Sequence, residues 1–149
     1  MNTSDSIDKQ LIRLLGQDAK QNSETLAKQL NISSATVRRK LRKFIQSGTL
    51  HIIGVVDPTK FGLPLTAVIA LDVAYEQLKS VAEALVNRSE IIFLSSTTGR
   101  FDIIAVGQFA STDSLSSFLT DQVAPSEGVK NIETFICLEV KKGRQLPLS

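Results

Sequence analysis

Residues 23–48 have the sequence SETLAKQLNISSATVRRKLRKFIQSG, which predicts two short helices separated by a turn. Ser23 is the predicted N-cap of the first helix, and apolar residues then follow at the spacing of one helix face, at Leu26, Ala27 and Leu30. Residues 31–33 interrupt that spacing, and Ser33 or Ser34 begins the next helix. A connection of three or four residues between two short helices is the length expected of a helix-turn-helix.

The second helix of this motif separates an apolar face from a basic face. At about 100° per residue, four apolar side chains share one stripe: Val37, Leu41, Phe44 and Ile45. Four basic side chains share the opposite face: Arg38, Arg39, Arg42 and Lys43. The helix is predicted to end at Ser47 and Gly48, because glycine suits a left-handed C-cap. A basic helix face of this kind fits the major groove of DNA.

The predicted contacts with double-stranded DNA divide along this helix. Its N-terminal residues are predicted to lie near base edges, since a recognition helix contacts bases with that end: Ser34, Ala35, Thr36, Arg38 and Arg39. Phosphate contacts are predicted for the remaining basic residues, Arg42, Lys43 and Lys40. Two alternatives stay open at this point: the basic face is simply solvated, and Thr36 bonds the local backbone instead of a base.

A further helix precedes the motif, over about residues 6–16. Its apolar residues recur at helical spacing, at Ile7, Leu11, Leu14 and Leu15. Asp5 is the predicted N-cap, and Asp8 follows three residues later in a capping-box position. Three short helices within fifty residues predict a compact helical domain at residues 1–50.

Charge and composition support a division of the chain into two parts. The 149 residues are 42% apolar and 21% charged, which is a globular composition. Residues 1–50 carry nine Lys and Arg against four acidic residues, a net charge of +5, whereas the remainder carries eight against eleven, a net charge of −3. A basic third beside a slightly acidic remainder is expected of a phosphate-binding module joined to a second domain.

Other totals exclude several classes of protein. No stretch combines a basic start with a long apolar centre, so we expect neither a signal peptide nor a membrane span, and a cytoplasmic location. The one cysteine, Cys137, has no partner for an internal disulfide, and with the one histidine, His51, it cannot supply a zinc site. We therefore expect no metal and no cofactor.

The pattern becomes alternating after residue 50. Residues 50–56 predict a strand, and turns follow near Pro58 and Gly62, so that residues 51–64 form the predicted linker. Beyond it the order is strand, helix, strand, strand, helix, strand. The strands are predicted at residues 65–73, 91–96, 101–109 and 132–140, with helices beginning near Leu78 and at Asp113 as N-cap.

This order predicts the fold class, which is α+β. The N-terminal part is a three-helix winged/helix-turn-helix domain, and a strand linker joins it to a ferredoxin-like βαββαβ domain at residues 65–149. No internal repeat occurs along the chain.

Several motifs, by their joint order and spacing, resemble the leucine-responsive/asparagine regulator (Lrp/AsnC) family of bacterial and archaeal transcription factors. The resemblance extends over nearly the whole chain. Residues 99–102, Gly-Arg-Phe-Asp, are similar to the G-x-[Y/F]-D loop of the family. The other matching segments are residues 7–12, 26–27, 31–33, 36–39, 48–50, 53–54, 62–63 and 128–129, with Thr134.

The resemblance implies a sequence-specific transcription regulator rather than an enzyme. Members of the family pair through their ferredoxin-like domains into homodimers, often assembled further into octamers, and many bind a free amino acid near the G-x-[Y/F]-D loop. Carried over to this chain, the effector-binding residues are Ser96, Thr98, Gly99, Arg100, Asp102 and Thr134.

Those residue types suit an amino-acid effector. Arg100 and the backbone N–H groups of a glycine turn would hold the α-carboxylate, and Asp102 with nearby hydroxyls would hold the α-ammonium. Both Gly99 and Asp102 also have a purely structural alternative, as a turn residue with positive φ and as a turn-capping carboxylate.

The chain departs from the family at two places, and two other functions stay open. Ser34 stands where many members have proline, and Ser95 with Ser96 replaces a Cys-His-like pair of some members, which leaves the effector undetermined. A ligand-independent architectural DNA-binding protein is one alternative. An enzyme similar to sirohaem decarboxylases is the other, and it is disfavoured because the one histidine, His51, lies in the predicted linker strand.

Overall fold

The structure is a computed structural model that describes the backbone of residues 3–141 and 146–147 and the side chains of residues 6–141. The chain divides into two compact units, Met1–Ile53 and Gly54–Ser149. The predicted linker, residues 51–64, is therefore shared between the two units. Each unit is described in turn.

The first unit is built from three helices, α1 (Thr3–Gln17), α2 (Ser23–Leu30) and α3 (Ser34–Gln46). They share one core because each carries apolar residues at helical spacing. The buried side chains of that core are Leu11, Leu15, Leu26, Ala27, Leu30, Val37 and Phe44. The predicted three-helix arrangement is confirmed, and the described residues of this unit form no strand.

The starts of α1 and α2 differ from the prediction. α1 begins at Thr3, so Asp5 lies within the helix and is not its N-cap. α2 is capped by Asn22, whose side-chain oxygen accepts hydrogen bonds from two backbone N–H groups of the first turn, at 3.1 and 2.8 Å. Because this one carboxamide satisfies two of the unpaired donors at the helix start, Ser23 lies one residue inside the helix.

The strand predicted at residues 50–56 forms only in part. β1 (Val55–Val56) pairs antiparallel with β6 (Leu146–Pro147), whereas residues 50–54 have no regular secondary structure. A strand needs a neighbouring strand to satisfy its backbone groups, and residues 50–54 pair with none in the described part of the chain; the N–H of Leu50 donates instead to the carbonyl of Phe44, at 3.1 Å. A short 3₁₀-helix, Pro58–Phe61, occupies the position of the predicted turns.

The second unit contains a four-stranded antiparallel sheet and two α-helices. Its elements are β2 (Leu65–Val73), α4 (Leu78–Val86), β3 (Ile91–Ser96), β4 (Ile103–Phe109), α5 (Thr112–Phe118) and β5 (Val129–Ile136). The strands lie in the order β3-β4-β2-β5. This topology confirms the predicted ferredoxin-like βαββαβ arrangement. A π-helical turn at Leu119–Val123 extends α5.

Both helices pack on the same face of the sheet. Because side chains alternate along a strand, one set of residues from β2 and β4 points toward the helices: Ala67, Ile69, Leu71, Val73, Ile103, Ala105 and Phe109. These residues share a core with α4 and α5, to which Leu85 and Phe118 contribute. The ring centroids of Phe109 and Phe118 lie 5.4 Å apart.

The last long strand is shorter than predicted. β5 ends at Ile136 instead of continuing to residue 140. The pairing with β2 ends where Ile136 lies opposite Ala67, and beyond it the N–H of Cys137 donates to the carbonyl of Thr66 at 2.9 Å. Leu138 is 98% exposed, so the alternation of apolar residues in the sequence continues beyond the end of the strand.

Two other starts in this unit also differ. α5 is capped by Ser111, whose hydroxyl oxygen accepts a hydrogen bond from the N–H of Ser114 at 3.2 Å, so Asp113 lies in the first turn and is not the cap. β4 begins at Ile103 rather than at residue 101. The two residues before it belong to the loop described below.

The opposite face of the sheet, called the open face here, carries neither α4 nor α5; one end of it is lined by Pro58 and Thr59 of the 3₁₀-helix. Its side chains are the alternate residues of the four strands and of the position after β5: Phe93, Ser95, Ile104, Val106, Gln108, Thr66, Val68, Ala70, Glu133, Phe135 and Cys137. Phe93 and Phe135 are each 53% exposed. Exposed apolar patches of this kind are characteristic of interaction surfaces.

Candidate nucleic-acid interface and effector loop

The turn between α2 and α3 has a defined geometry. Asn31 ends α2 in the left-handed conformation, with φ 52° and ψ 47°. Ser33 is the N-cap of α3: its hydroxyl oxygen accepts a hydrogen bond from the N–H of Thr36 at 3.1 Å. Asparagine tolerates the left-handed region and serine is a preferred N-cap, so the local sequence determines both ends of the turn. The predicted helix-turn-helix is confirmed.

α3 presents a basic face to solvent. Val37 and Phe44 fix its inner side in the core of the first unit. Four exposed basic side chains lie on the outer side: Arg38, Arg39, Arg42 and Lys43. None of these four forms an ion pair with the described residues. Positive charges that are exposed and uncompensated on one helix face suit a polyanion such as DNA.

Ile45 and Lys40 lie differently from the prediction. Ile45, expected in the apolar stripe, is 51% exposed. Lys40, predicted to contact phosphate, forms an ion pair with Asp8 of α1 and its side chain is only 15% exposed. Lys40 lies beside the apolar stripe of α3, toward α1, and Asp8 neutralises its charge there. The phosphate contact of Lys40 stays a prediction, and Asp8 is a partner of α3 rather than part of a capping box.

The first turn of α3 contains the other predicted base-contacting residues. Ala35 is exposed, and Ser34 and Thr36 are partly buried. The Thr36 hydroxyl lies 2.9 Å from the hydroxyl of Ser33, so it takes part in the helix cap. The partner of the Thr36 hydroxyl is thus another side chain and not the backbone, and the base contact of Thr36 stays a prediction.

The loop at residues 97–102, called the effector loop here, connects β3 and β4. Gly99 has φ 120°, a conformation that favours glycine. The side-chain oxygen Oδ2 of Asp102 accepts a hydrogen bond from the N–H of Val73 at 2.9 Å, and the backbone of Asp102 is bonded to Leu71 and Thr97. Asp102 therefore ties the effector loop to the end of β2, whatever its role toward a ligand.

Arg100 projects from the tip of the effector loop. Its guanidinium forms an ion pair with Glu133 of β5, through Nη2 and Oε1. The same group lies over the ring of Phe101, 5.1 Å from the ring centroid. The Arg100 side chain is nevertheless 75% exposed. A cation held by one carboxylate and one aromatic ring, with the rest open to solvent, is accessible to a second carboxylate.

The predicted effector residues are only partly brought together in one chain. Four of them lie in the effector loop and Ser96 directly precedes it, at the end of β3. Thr134 lies elsewhere: it pairs with Ile69 of β2 and points to the helix-covered side of the sheet. Its neighbour Glu133 is the residue that reaches the loop, through Arg100. The effector roles of all six residues stay predictions.

Beside the loop, Ser96 shares a shallow hollow of about 420 Å³ with α4 and the turn before it. The other lining residues are Tyr75, Leu78, Lys79, Ala82 and Glu83. Tyr75 is 87% exposed, and Lys79 and Glu83 bring an opposite pair of charges 3.8 Å apart. Sequence analysis missed these residues because they come from elements that meet only in the folded unit; the exposed aromatic was the one available indication.

The described residues lack two kinds of feature, a metal-binding cluster and a membrane-spanning helix. No group of three or more His, Cys, Asp or Glu side chains is arranged there to hold a metal ion. No helix there combines the length and apolar character that crossing a bilayer requires.

Family models match both units of the chain. The AsnC-type helix-turn-helix domain matches residues 5–45. The Lrp/AsnC ligand binding domain matches residues 66–147, which is more than half of the chain.

Relatives of similar sequence carry the names of regulators. The chain is 32% identical over 139 residues to an uncharacterized HTH-type transcriptional regulator of Pyrococcus furiosus, covering 93% of this chain and 94% of that protein. The HTH-type transcriptional regulator FL11 of the same organism is 30% identical over 146 residues, covering 97% and 96%.

Solved structures share the fold. Escherichia coli AsnC matches with a TM-score of 0.84 at 22% identity, covering 91% of this chain and 93% of that one. A transcriptional regulator of Neisseria meningitidis, solved as a complex with L-Met, matches with a TM-score of 0.86 at 18% identity, covering 95% and 92%.

Proposed function

The chain belongs to the Lrp/AsnC family of transcriptional regulators, and from this premise we propose that it binds a specific site in double-stranded DNA through the outer face of α3. The observation that carries the proposal is the set of four exposed basic side chains without ion-pair partners among the described residues. Arg38 and Arg39 lie nearest the N-terminal end of α3 and make base contacts, since arginine bonds guanine through two donors. Arg42 and Lys43 contact phosphates.

The DNA proposal is tested with a duplex selected from a random library by the parent protein. Arg38→Ala and Arg39→Ala should each weaken binding to that duplex by about 1–3 kcal/mol, roughly 5- to 150-fold, and reduce discrimination against a scrambled duplex. Lys20→Ala removes an exposed charge from the same unit outside α3 and is the matched control. Unchanged affinity in both arginine variants would contradict the assignment. Equal affinity of the parent for both duplexes across a salt series would favour an architectural protein.

The second unit, on the same premise, binds a free amino acid at the effector loop. The Neisseria protein in complex with L-Met supports this ligand class for a related fold. In this chain Arg100 and the backbone at Gly99 would receive the α-carboxylate, and Asp102 with Ser96 and Thr98 the α-ammonium. Thr134 completes the predicted set, although it lies on β5, at the opposite edge of the sheet from β3 and Ser96.

A thermal-shift screen against the twenty amino acids tests effector binding. A ligand at 100 times its dissociation constant should stabilise the protein by about 2.7 kcal/mol. Asp102→Ala should abolish the shift given by the best ligand. A flat profile for the parent protein would indicate a regulator without an amino-acid effector.

The open face is proposed to pair with the open face of a second copy, giving a homodimer that assembles further toward an octamer. Phe93 and Phe135 are half-exposed on it, and they lie in one row across the sheet with Val106 and Val68 between them. Exposed apolar area of this kind gains from a protein partner. Pairing also brings two recognition helices to one operator, which supplies specificity that one helix lacks.

Sedimentation velocity tests this pairing. Phe93→Glu should convert the parent assembly to smaller species, whereas Tyr75→Glu, which alters an exposed aromatic outside the open face, should leave the homodimer intact. An unchanged assembly for Phe93→Glu would place the interface elsewhere. We further propose that the protein is a cytoplasmic regulator that carries out no catalysis and uses no cofactor other than the effector.

A further inference from the structure

We propose that Glu133 is an internal competitor of the effector: its carboxylate occupies Arg100 in the free protein, and the α-carboxylate of the effector displaces it. The inference rests on the proposed effector site and concerns how that site is regulated. It follows from the position of Arg100, from the chemistry of its partner, and from the way the effector loop is anchored.

The ion pair joins two parts of the chain that are distant in sequence. Arg100 lies in the loop after β3, and Glu133 lies on β5, where it pairs with Ala70 of β2. The contact therefore bridges from the loop across β2 to the far edge of the sheet. A ligand bound by the loop would meet the Glu133 carboxylate at the same guanidinium.

The loop backbone is held independently of this contact. Asp102 accepts the N–H of Val73 at 2.9 Å, and the hydroxyl of Thr97 donates to the carbonyl of Phe101 at 2.7 Å. Loss of the Arg100–Glu133 pair thus leaves the loop tied to β2. Exchange of one carboxylate for another then requires movement of the Glu133 side chain only.

The side-chain carboxylate of Glu133 and the α-carboxylate of an amino acid offer Arg100 the same chemical group. A guanidinium offers its donors in a planar fork that one carboxylate can occupy in a bidentate manner. Phe101 supports the guanidinium from its ring face, 5.1 Å from the ring centroid, so the cation stays in place when its partner changes. Arg100 is 75% exposed, which leaves the approach to the fork open to a solute.

Competition of this kind raises the effector concentration at which the protein responds. Because the pair is exposed, solvent screens it and the attraction to be overcome is small. The competitor therefore adjusts the threshold of the response without blocking it. We expect removal of the Glu133 charge to tighten effector binding by about two- to fivefold, the range of a surface ion pair.

The experiment is a double-mutant cycle read by isothermal titration. Its probe is L-methionine, or whichever amino acid gives the largest thermal shift with the parent. The four proteins are the parent, Glu133→Gln, Arg100→Gln and the double variant. Glu133→Gln should bind the probe about two- to fivefold more tightly, Arg100→Gln should bind it more weakly than the parent, and adding Glu133→Gln to Arg100→Gln should change nothing further.

Two further variants test whether the change in affinity comes from the Glu133 carboxylate at Arg100 and not from the loss of any acidic residue. Glu139→Gln removes an acidic residue that pairs with Lys141 at 2.7 Å, in the same unit, and should leave the affinity unchanged. Glu133→Asp keeps the charge but shortens its reach, so it should also tighten binding. Circular dichroism and thermal unfolding confirm that each variant is folded; Glu133→Asp carries the test if Glu133→Gln is not.

The outcomes separate this inference from the function it rests on. Unchanged or weaker binding in Glu133→Gln and Glu133→Asp would overturn the competition, even though the parent binds the probe. An equal gain in the Arg100→Gln background would also overturn it, because Glu133 would then act without Arg100. Absence of binding by the parent and by Glu133→Gln alike would refute the effector site itself, and the competitor with it.

Discussion

The outer face of α3 and the effector loop both expose arginine side chains, but they hold them differently. Arg38, Arg39 and Arg42 project from a helix and have no carboxylate partner in the described part of the chain. Arg100 projects from a loop and is paired with Glu133. A row of unpaired cations suits a polyanion that contacts several of them at once. A single cation with an internal partner suits exchange with one small anion.

The largest expected effect comes from weakening the core that holds α3 while the core of the second unit stays intact. Leu26→Ala deletes a fully buried side chain of the first unit and should destabilise that unit by about 2–5 kcal/mol. Because the second unit has its own core, binding of an amino acid should persist while DNA binding is lost. Thermal unfolding and the two binding assays measure this. Leu138→Ala, at a position 98% exposed, is the control and should change neither.

The next effect concerns the anchor of the effector loop. Asp102→Ala removes the acceptor of the Val73 N–H and should cost about 1.5–3 kcal/mol of stability, the range of a hydrogen bond to a charged group. Denaturant unfolding of the second unit measures it. Unlike any substitution on α3, this one should leave DNA affinity of a stable dimer unchanged. A loss smaller than that of Asp113→Ala, an exposed acid in the first turn of α5, would contradict the anchoring role.

A smaller effect distinguishes two basic residues of α3 that the sequence grouped together. Arg42→Ala should weaken binding to specific and scrambled duplexes alike and reduce the salt slope of log K by about 0.9. Lys40→Ala should leave that slope unchanged, because Asp8 already neutralises Lys40. Fluorescence anisotropy over a salt series gives both slopes. A reduced slope for Lys40→Ala would show that Lys40 contacts phosphate, as the sequence predicts.

The smallest effect tests how the helices of the first unit begin. Asn22→Ala should destabilise the unit by about 1 kcal/mol, because two N–H groups of α2 lose their acceptor. Ser23→Ala, one residue later, should change stability by no more than a few tenths of a kcal/mol. Thermal unfolding compares the two. The opposite order would make Ser23 the cap, as the sequence predicted.

Much of the architecture could be predicted from the sequence. Three helices in the first unit, the strand and helix order of the second and the exposure of Arg38 and Arg39 all follow from local periodicity. The ends of elements were less predictable. β5 ends at Ile136, four residues before the end of the apolar alternation, and the Asn22 carboxamide reaches two donors where Ser23 was expected to cap.

Some features of the candidate sites could also be predicted from the sequence, and others could not. Arg42 and Lys43 could be placed on a basic face from angles along one helix. The pairing of Lys40 with Asp8 and of Arg100 with Glu133 could not, because each joins residues more than thirty positions apart in the chain. The hollow beside Ser96 was missed because its lining residues come from elements that meet only in the folded unit.

The sequence by itself therefore determined the two units, their secondary structure and the basic face of α3, since each depends on residues within a few turns or one strand of each other. Only the tertiary structure decided which charged residues are free to meet a ligand. The fold brings Lys40 beside Asp8 and Arg100 beside Glu133, so these charges are neutralised within the protein. The spacing of residues along the chain does not indicate which opposite charges will be in contact.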